Sequence, residues 1–457
     1  MGTLAIVGAG FCGTMVATHV LRAAPATLDE LYLVERNGRE VGGVAYGTPS
    51  TSHTLNVPAG RMSAFEDDPD DFLRFVRAGD PALTGGSFVP RRLYGDYLAR
   101  TLAEAQRRST LRLTRVAGEA VAASEHSVGV TFELADGRLV EAERAVLAVG
   151  NYPPSDPPAT DERLYRSVRY ARDPWAPDTL EVARDEPVLL LGTGLTMCDL
   201  VLAFRDADHR GELVAISRRG LLPQAHRVSP NPPPHLAPPA GLAEWPPTAA
   251  GLLRSLRAEV RSAAGEGTDW REVVTSIRHD TPALWQRLDV DERRRFLRHL
   301  RPYWETHRHR SSPETAFAVE AMRGAGSLRL IAGRVVGYDK TRTGVAVSYE
   351  TRDGPGQVEV GKVVNCTGPN TNLAEVRDPL VQSLRELGAV RPDSLGLGLD
   401  TDEEGRLIDA DGRASERLSL AGPLRKGRFW EHTAVPELRV EAYALAQRLC
   451  VEEQVSD

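Results

Sequence analysis

Cysteine is scarce and scattered. Cys12, Cys198, Cys366 and Cys450 are the only four in 457 residues; none sits in a Cys-x-x-Cys pair, and no Cys/His spacing matches a zinc site. That spacing excludes a redox dithiol and a metal centre, and the four read as reduced, buried thiols. Long apolar runs are missing too, since none approaches the ~18–20 residues that a bilayer span requires. Nor is there an excess of positive charge. Lys and Arg number 56 against 63 Asp and Glu, a net charge of −7, which argues against the broad basic face of a nucleic-acid binder. The first residues show no basic leader and no cleavage pattern, and Ile6 stands where a myristoylation signal needs Ser or Thr. The expectation is a soluble, cytoplasmic protein with no membrane or nucleic-acid partner and an open oligomeric state.

What the chain has in quantity is glycine and proline, 41 and 31 residues, and they are clustered. The length suggests two or three packed units. Leu4-Ala5-Ile6-Val7 reads as a buried parallel strand, followed at once by Gly8-Ala9-Gly10-Phe11-Cys12-Gly13 and a helical stretch through Val20. A second apolar strand ends in Glu35, 22 residues beyond Gly13. Gly8 permits the tight turn, Gly10 lets a pyrophosphate approach the backbone, Gly13 lets helix and strand pack closely, and Glu35 is placed to accept ribose hydroxyls. The ligand is NAD or FAD, and Gly43, just after the acidic strand end, favours FAD.

A second cluster, Gly192-Thr193-Gly194, follows the strand Val188 to Leu191, with Met197 in place of the third glycine. Its next strand ends in Ser217-Arg218-Arg219 instead of an acid. A hydroxyl and two guanidiniums suit a 2′-phosphate, so this site favours NADPH, with NADH possible. After each glycine cluster the same order recurs: alternating strands, an Asp-Gly turn (Asp136-Gly137, Asp353-Gly354) and an apolar strand ending in Gly150 or Gly368. The fold expected is α/β, with two Rossmann-like dinucleotide-binding domains, each with a β-meander, plus a helical insertion.

The boundaries follow from composition. Residues 1–152 form the first part of the FAD-binding domain, and 153–186, opening on prolines through Pro158, form a linker. Residues 187–224 and 327–368 form the NAD(P)-binding domain. A second proline-rich loop, Pro230 to Pro239, opens a helical insertion or lid at 225–326, and 369–457 return to the FAD-binding domain. Asp289-Val290-Asp291-Glu292 has the form of a capping box. The stretch from Gly43 past Asn56 is too rich in small and turn residues for a plain helix, and it reads as wrapping a ligand. Gly422 ends a last parallel strand.

Tyr303 and Trp304, beside Arg308 and Arg310, make a candidate clamp for a flat anion. A solvated basic helix end accounts for them equally well. Glu431 and His432 are candidate polar groups near a flavin, and no catalytic residue is assigned.

These motifs, from Gly8–Gly13 with Glu35 through Leu55-Asn56-Val57-Pro58, Ser217-Arg218-Arg219-Gly220 and Trp430-Glu431, resemble bacterial FAD/NAD(P)-binding proteins related to class B-type flavin monooxygenases and flavin N-hydroxylases. The resemblance spans nearly the whole chain. It implies an FAD-dependent, NAD(P)H-consuming monooxygenase that places one atom of O2 on a small polar substrate. Within the group it implies hydroxylation of urate to 5-hydroxyisourate. An amine or amino-acid N-hydroxylase, a flavin-dependent reductase and a non-catalytic redox sensor are the alternatives.

Overall fold

The computed structural model describes residues 2–36, 38, 41–157, 162–232 and 236–451; Pro158 of the first proline-rich stretch and residues 233–235 of the second lie outside them. The chain begins with β1 (Gly2–Val7), α1 (Phe11–Ala23), β2 (Leu28–Glu35), the single turn α2 (Gly43–Tyr46), α3 (Asp71–Gly79) and α4 (Arg91–Arg108). Then come β3 (Arg112–Ala117), β4 (Ala120–His126), β5 (Gly129–Leu134), β6 (Leu139–Ala142) and β7 (Arg144–Leu147). The segment 153–186 contributes β8 (Tyr170–Ala171). The second unit is built on β9 (Val188–Leu191), α5 (Leu195–Asp206) and β10 (Leu213–Ser217).

Helices α6 (Ala249–Gly265), α7 (Trp270–Ser276), α8 (Thr281–Gln286), α9 (Val290–Arg295), α10 (Arg301–Arg308) and α11 (Pro313–Gly324) follow. The second unit resumes with β11 (Leu328–Lys340), β12 (Val345–Thr351), β13 (Gly354–Val360) and β14 (Lys362–Asn365). The chain closes with α12 (Pro379–Glu386), β15 (Arg406–Ile408), β16 (Ala414–Leu420) and α13 (Val435–Val451).

Two sheets carry the architecture. The first has the order β15-β16-β7-β1-β2-β3 and the second β13-β12-β11-β10-β9-β14-β8, while β4, β5 and β6 form a separate meander. Both are parallel around their glycine-bearing strand: β1 lies between β7 and β2, with Ala5 opposite Ala145 and Tyr32, and β9 between β14 and β10, with Leu189 opposite Val363 and Val214. Such strands are buried on both faces, which is why they read as continuous apolar runs. Core side chains of α1, α4 and α13 cover one face of the first sheet. Those of the meander and α12 cover the other.

The repeat is therefore structural, with one difference. The second meander is not a separate sheet, because the 13-residue β11 pairs with β10 along its first half and with β12 along its second. Two boundaries also look different in three dimensions. Residues 153–186 are more than a spacer, since β8 pairs with β14 at the edge of the second sheet. Helix α11 packs on α5 and β11, so it is the crossover helix of the second unit and not part of a lid. At the other end, β16 pairs with β7 and returns the chain to the first sheet. The capping motif is half formed. Asp289 accepts from the Glu292 N–H at 2.8 Å, but the Glu292 carboxylate accepts from the Ala249 N–H at the start of α6.

Candidate functional site

Each glycine-rich turn leaves the carboxyl end of its strand in the same way. Gly8 has φ +110° and Gly192 φ +106°. A Cβ on Gly8 would lie 2.3 Å from the Ala148 carbonyl oxygen, and one on Gly192 would lie 2.5 Å from that of Cys366. Only glycine fits there. A Cβ on Gly13 would lie 1.8 Å from the Gly8 carbonyl oxygen, so α1 crosses almost in contact with the turn. Gly10 and Gly194 are different: nothing lies within 4 Å of a Cβ built on either. Each is the open floor of a cradle at the start of a helix, where unbonded N–H groups and the helix dipole favour a pyrophosphate.

The remaining first-cradle residues gather around this floor. Gly43 is packed against Gly10 (3.2 Å from a built Cβ to its Cα), and Gly422 is packed against Cys12. Glu35 ends β2 beside the turn. The residues present suit a dinucleotide at both cradles.

Around the second cradle the Ser217 hydroxyl is already committed. It lies 2.8 Å from the Thr193 hydroxyl and accepts from the Gly220 N–H at 3.0 Å. Ser217 thus shapes the turn, while Arg218 projects into solvent. The Arg219 guanidinium lies 5.3 Å from the centre of the Tyr303 ring.

That contact corrects the expected clamp. Tyr303, 49% exposed, stands at the second cradle. Trp304 turns inward, is partly buried in the helical layer, and donates its indole N–H to Glu431 at 2.7 Å. His432 is not in the pocket either: its ring stacks on Phe429 and its Nδ1 lies 3.3 Å from Glu441, whose other oxygen accepts from the Gly422 N–H. Arg308, Arg310 and Asn56 do come together. They line a pocket between the first unit and the helical layer.

Sequence reasoning left out most of this pocket's charge. Arg61, Arg227, Arg271 and Arg278 also line it, with Glu272 the carboxylate among its lining residues. The proline-rich loop is one wall, because Pro230 accepts from the Gly86 N–H at 3.0 Å and Pro232 packs on Gly60 and Gly85. Arg278 is held by a two-pronged pair with Glu437. Burial, together with Arg308 and three other arginines, pulls Arg310 down to about 10. Burial and then Arg310 pull His226 to about 3, leaving a neutral ring whose Nε2–H donates to the Asn56 carbonyl at 3.0 Å.

Behind the arginines lies Glu431, buried and in the left-handed region at φ +78°. Such backbone strain in a non-glycine residue collects at functional sites. Burial alone would raise its pKa, but His309, Arg308 and Lys426 outweigh it and hold the carboxylate well below its usual range.

The fold and these two cradles define an α/β flavoprotein fold with paired dinucleotide-binding units. Residues 5–152 match the model of an FAD-NAD(P)-binding family. The solved L-lysine 6-monooxygenase from Pseudomonas syringae has a TM-score of 0.66 at 16% identity, over 100% of both chains. The ornithine N-hydroxylase from Kutzneria sp. 744, solved with reduced FAD, NADP+ and L-ornithine, has a TM-score of 0.62 at 15% identity over 99% of each chain. The Lactococcus lactis thioredoxin reductase has a TM-score of 0.53 at 11% identity, over 99% of this chain and 100% of its own. These likenesses establish the fold. No curated protein sequence matches the chain.

Proposed function

We propose that the chain is an FAD-dependent, NAD(P)H-consuming monooxygenase that hydroxylates the nitrogen of a small amine or amino acid. One observation carries the reading: a single helix joins the second cradle to the pocket. Tyr303 of α10 faces Arg219, and Arg308, five residues on, lines the pocket. At 1.5 Å per residue that is about 7–8 Å of helix. A nicotinamide nucleotide held at Arg218 and Arg219 and a flavin held over Gly10 can therefore serve one reaction space.

Bound FAD, once reduced by NAD(P)H, supplies the activation of O2. The chain's own residues bind, orient and enclose. Gly10 and Gly194 with their helix N-termini take the pyrophosphates, Glu35 the FAD ribose, and Arg218 and Arg219 a 2′-phosphate, which favours NADPH over NADH. The proline-rich loop and the helical layer form two walls of the pocket.

Thiol chemistry is a poor rival. Burial and then Glu441 push Cys12 well up, burial pushes Cys198 up to about 12, and Cys366 and Cys450 are likewise raised. A nucleophilic cysteine needs its pKa lowered. Amine hydroxylation draws support from the lysine and ornithine enzymes of like fold; urate hydroxylation draws none. The test is NADPH oxidation by the FAD-loaded protein across amino acids, diamines and urate, with hydroxylamine and H2O2 both measured. Hydroxylamine formed in step with NADPH consumption supports the reading. Electrons recovered wholly as H2O2 with every amine, or oxidation coupled only to urate loss, overturns it.

A further inference from the structure

The pocket holds more positive charge than its own carboxylates answer. Four nearby acids answer part of it: Glu437 pairs with Arg278, Asp269 with Arg271 and Glu272 with Arg227, while Glu431 accepts from Trp304 and lies 3.4 Å from both His309 and Arg308. Arg310 is buried, donates to the neutral Thr275 hydroxyl at 2.9 Å, and has an Nε with no hydrogen-bond partner among the described residues. Arg308 is also buried. Among the described residues its Nε and Nη2 lack hydrogen-bond partners, and they lie 3.4 and 3.6 Å from the Glu431 and Glu437 carboxylates. A buried guanidinium without a full partner is costly. Both are pulled down, Arg308 by burial and then Arg278 against the pull of Glu431 and Glu437, and Arg310 by burial and then Arg308. The arrangement becomes favourable once an oxyanion enters, because planar guanidiniums take carboxylates in pairs of hydrogen bonds.

We infer that the pocket binds its substrate through acid groups, taking a small molecule with two or more carboxylates at Arg308 and Arg310. Identifying that molecule as the substrate rests on the monooxygenase reading. The anion site itself does not. The nitrogen to be hydroxylated would then belong to an acidic amino compound and not to a simple diamine.

The experiment measures binding without turnover, by perturbation of the flavin absorbance of the oxidised, FAD-loaded protein. The probes are putrescine, ornithine, glutamate, citrate and inorganic phosphate. We expect affinity to rise with the number of carboxylates, with glutamate and citrate ahead of ornithine and putrescine weakest. Arg310→Gln should weaken glutamate and citrate by about tenfold or more, the loss of one charge-assisted pair, while Arg310→Lys recovers part of it. Without any ligand, Arg310→Gln should melt at the same temperature as the parent or higher, since it removes an ill-matched charge. A purely structural arginine would give a lower melting temperature.

Equal binding of all probes, putrescine bound best, phosphate matching citrate, or an Arg310→Gln variant that binds citrate normally would each overturn the inference. NADPH oxidation that never couples to any substrate would sink the monooxygenase reading while leaving a carboxylate-selective pocket in place.

Discussion

At the scale of single residues, the glycines separate into those that shape the turn and those that receive a ligand. Gly13 is boxed in by the Gly8 carbonyl, whereas Gly10 faces open space. Gly13→Ala should therefore lower the melting temperature of the flavin-free protein, as backbone must move to admit the methyl group. Gly10→Ala should leave that melting temperature nearly unchanged and instead reduce FAD retained on purification. Melting curves with and without FAD test both, and equal losses in the two variants would contradict the distinction. These glycines were legible in the sequence because the motif is contiguous, so spacing alone carries the geometry. The aromatic clamp was misread for an equally local reason. Consecutive residues on a helix point about 100° apart, so Tyr303 and Trp304 cannot face one pocket. Strain at Glu431 does the same downstream, separating its direction from that of His432. No pattern of neighbours announces a left-handed glutamate.

At the scale of elements, the helical layer is tied to the first unit by buried charge. Arg278 of the turn after α7 pairs with Glu437 at the start of α13, and the neutral His226 ring meets the Asn56 carbonyl. The pocket is made from segments near residues 56–61, 86–88, 226–232 with Leu236, 271–278, 308–310 and 434. Arg308 and Arg310 were legible as neighbours in one basic run, but Arg61, Arg227, Arg271 and Arg278 were not, because those stretches do not adjoin it in the chain. The same contacts set an acid limit. His19 is lowered to about 4 by burial first and then Arg22, and His226 to about 3. Both are neutral when folded but take a proton near pH 6.5 when unfolded. Their contribution is full above pH 6.5 and is lost as pH falls toward 4 and 3. Glu437 and Glu441, held low by Arg278 and by His432 with Arg425 against the opposing effect of burial, keep their contribution above about pH 4.5. It is lost as pH falls through their depressed values. We expect unfolding free energy to be level from pH 8 to 7 and to fall by about 1–2 kcal/mol for each histidine by pH 5. Urea titrations at those pH values check this. Stability unchanged at pH 5 would contradict it.

At the scale of the whole molecule, two copies of one design face each other. Each sheet holds its glycine-bearing strand between two parallel neighbours, and the residue just after the closing strand of each repeat, Ala148 after β7 or Cys366 after β14, supplies the carbonyl that its first glycine must avoid. The units are joined by Arg91 of α4 and the buried Asp199 of α5, at 2.8 Å. They are joined again where Tyr152 pairs with Asn370, bringing the two crossings of the chain side by side. The duplication was readable from the repeat of strand, glycine turn and meander, since these are local patterns in a fixed order. The fused second sheet was not, because only β11's length allows it to serve two neighbours in succession. Among the described residues, no helix is long and apolar enough to cross a membrane.

The central claim is that the two cradles hold different dinucleotides for one reaction, and anaerobic reduction of the FAD-loaded protein tests it most directly. We expect about one FAD per chain, bleached by NADPH faster than by NADH, with Arg218→Ala/Arg219→Ala raising the NADPH concentration needed far more than the NADH concentration. A chain that retains no FAD, or whose FAD neither nucleotide reduces, would contradict the account.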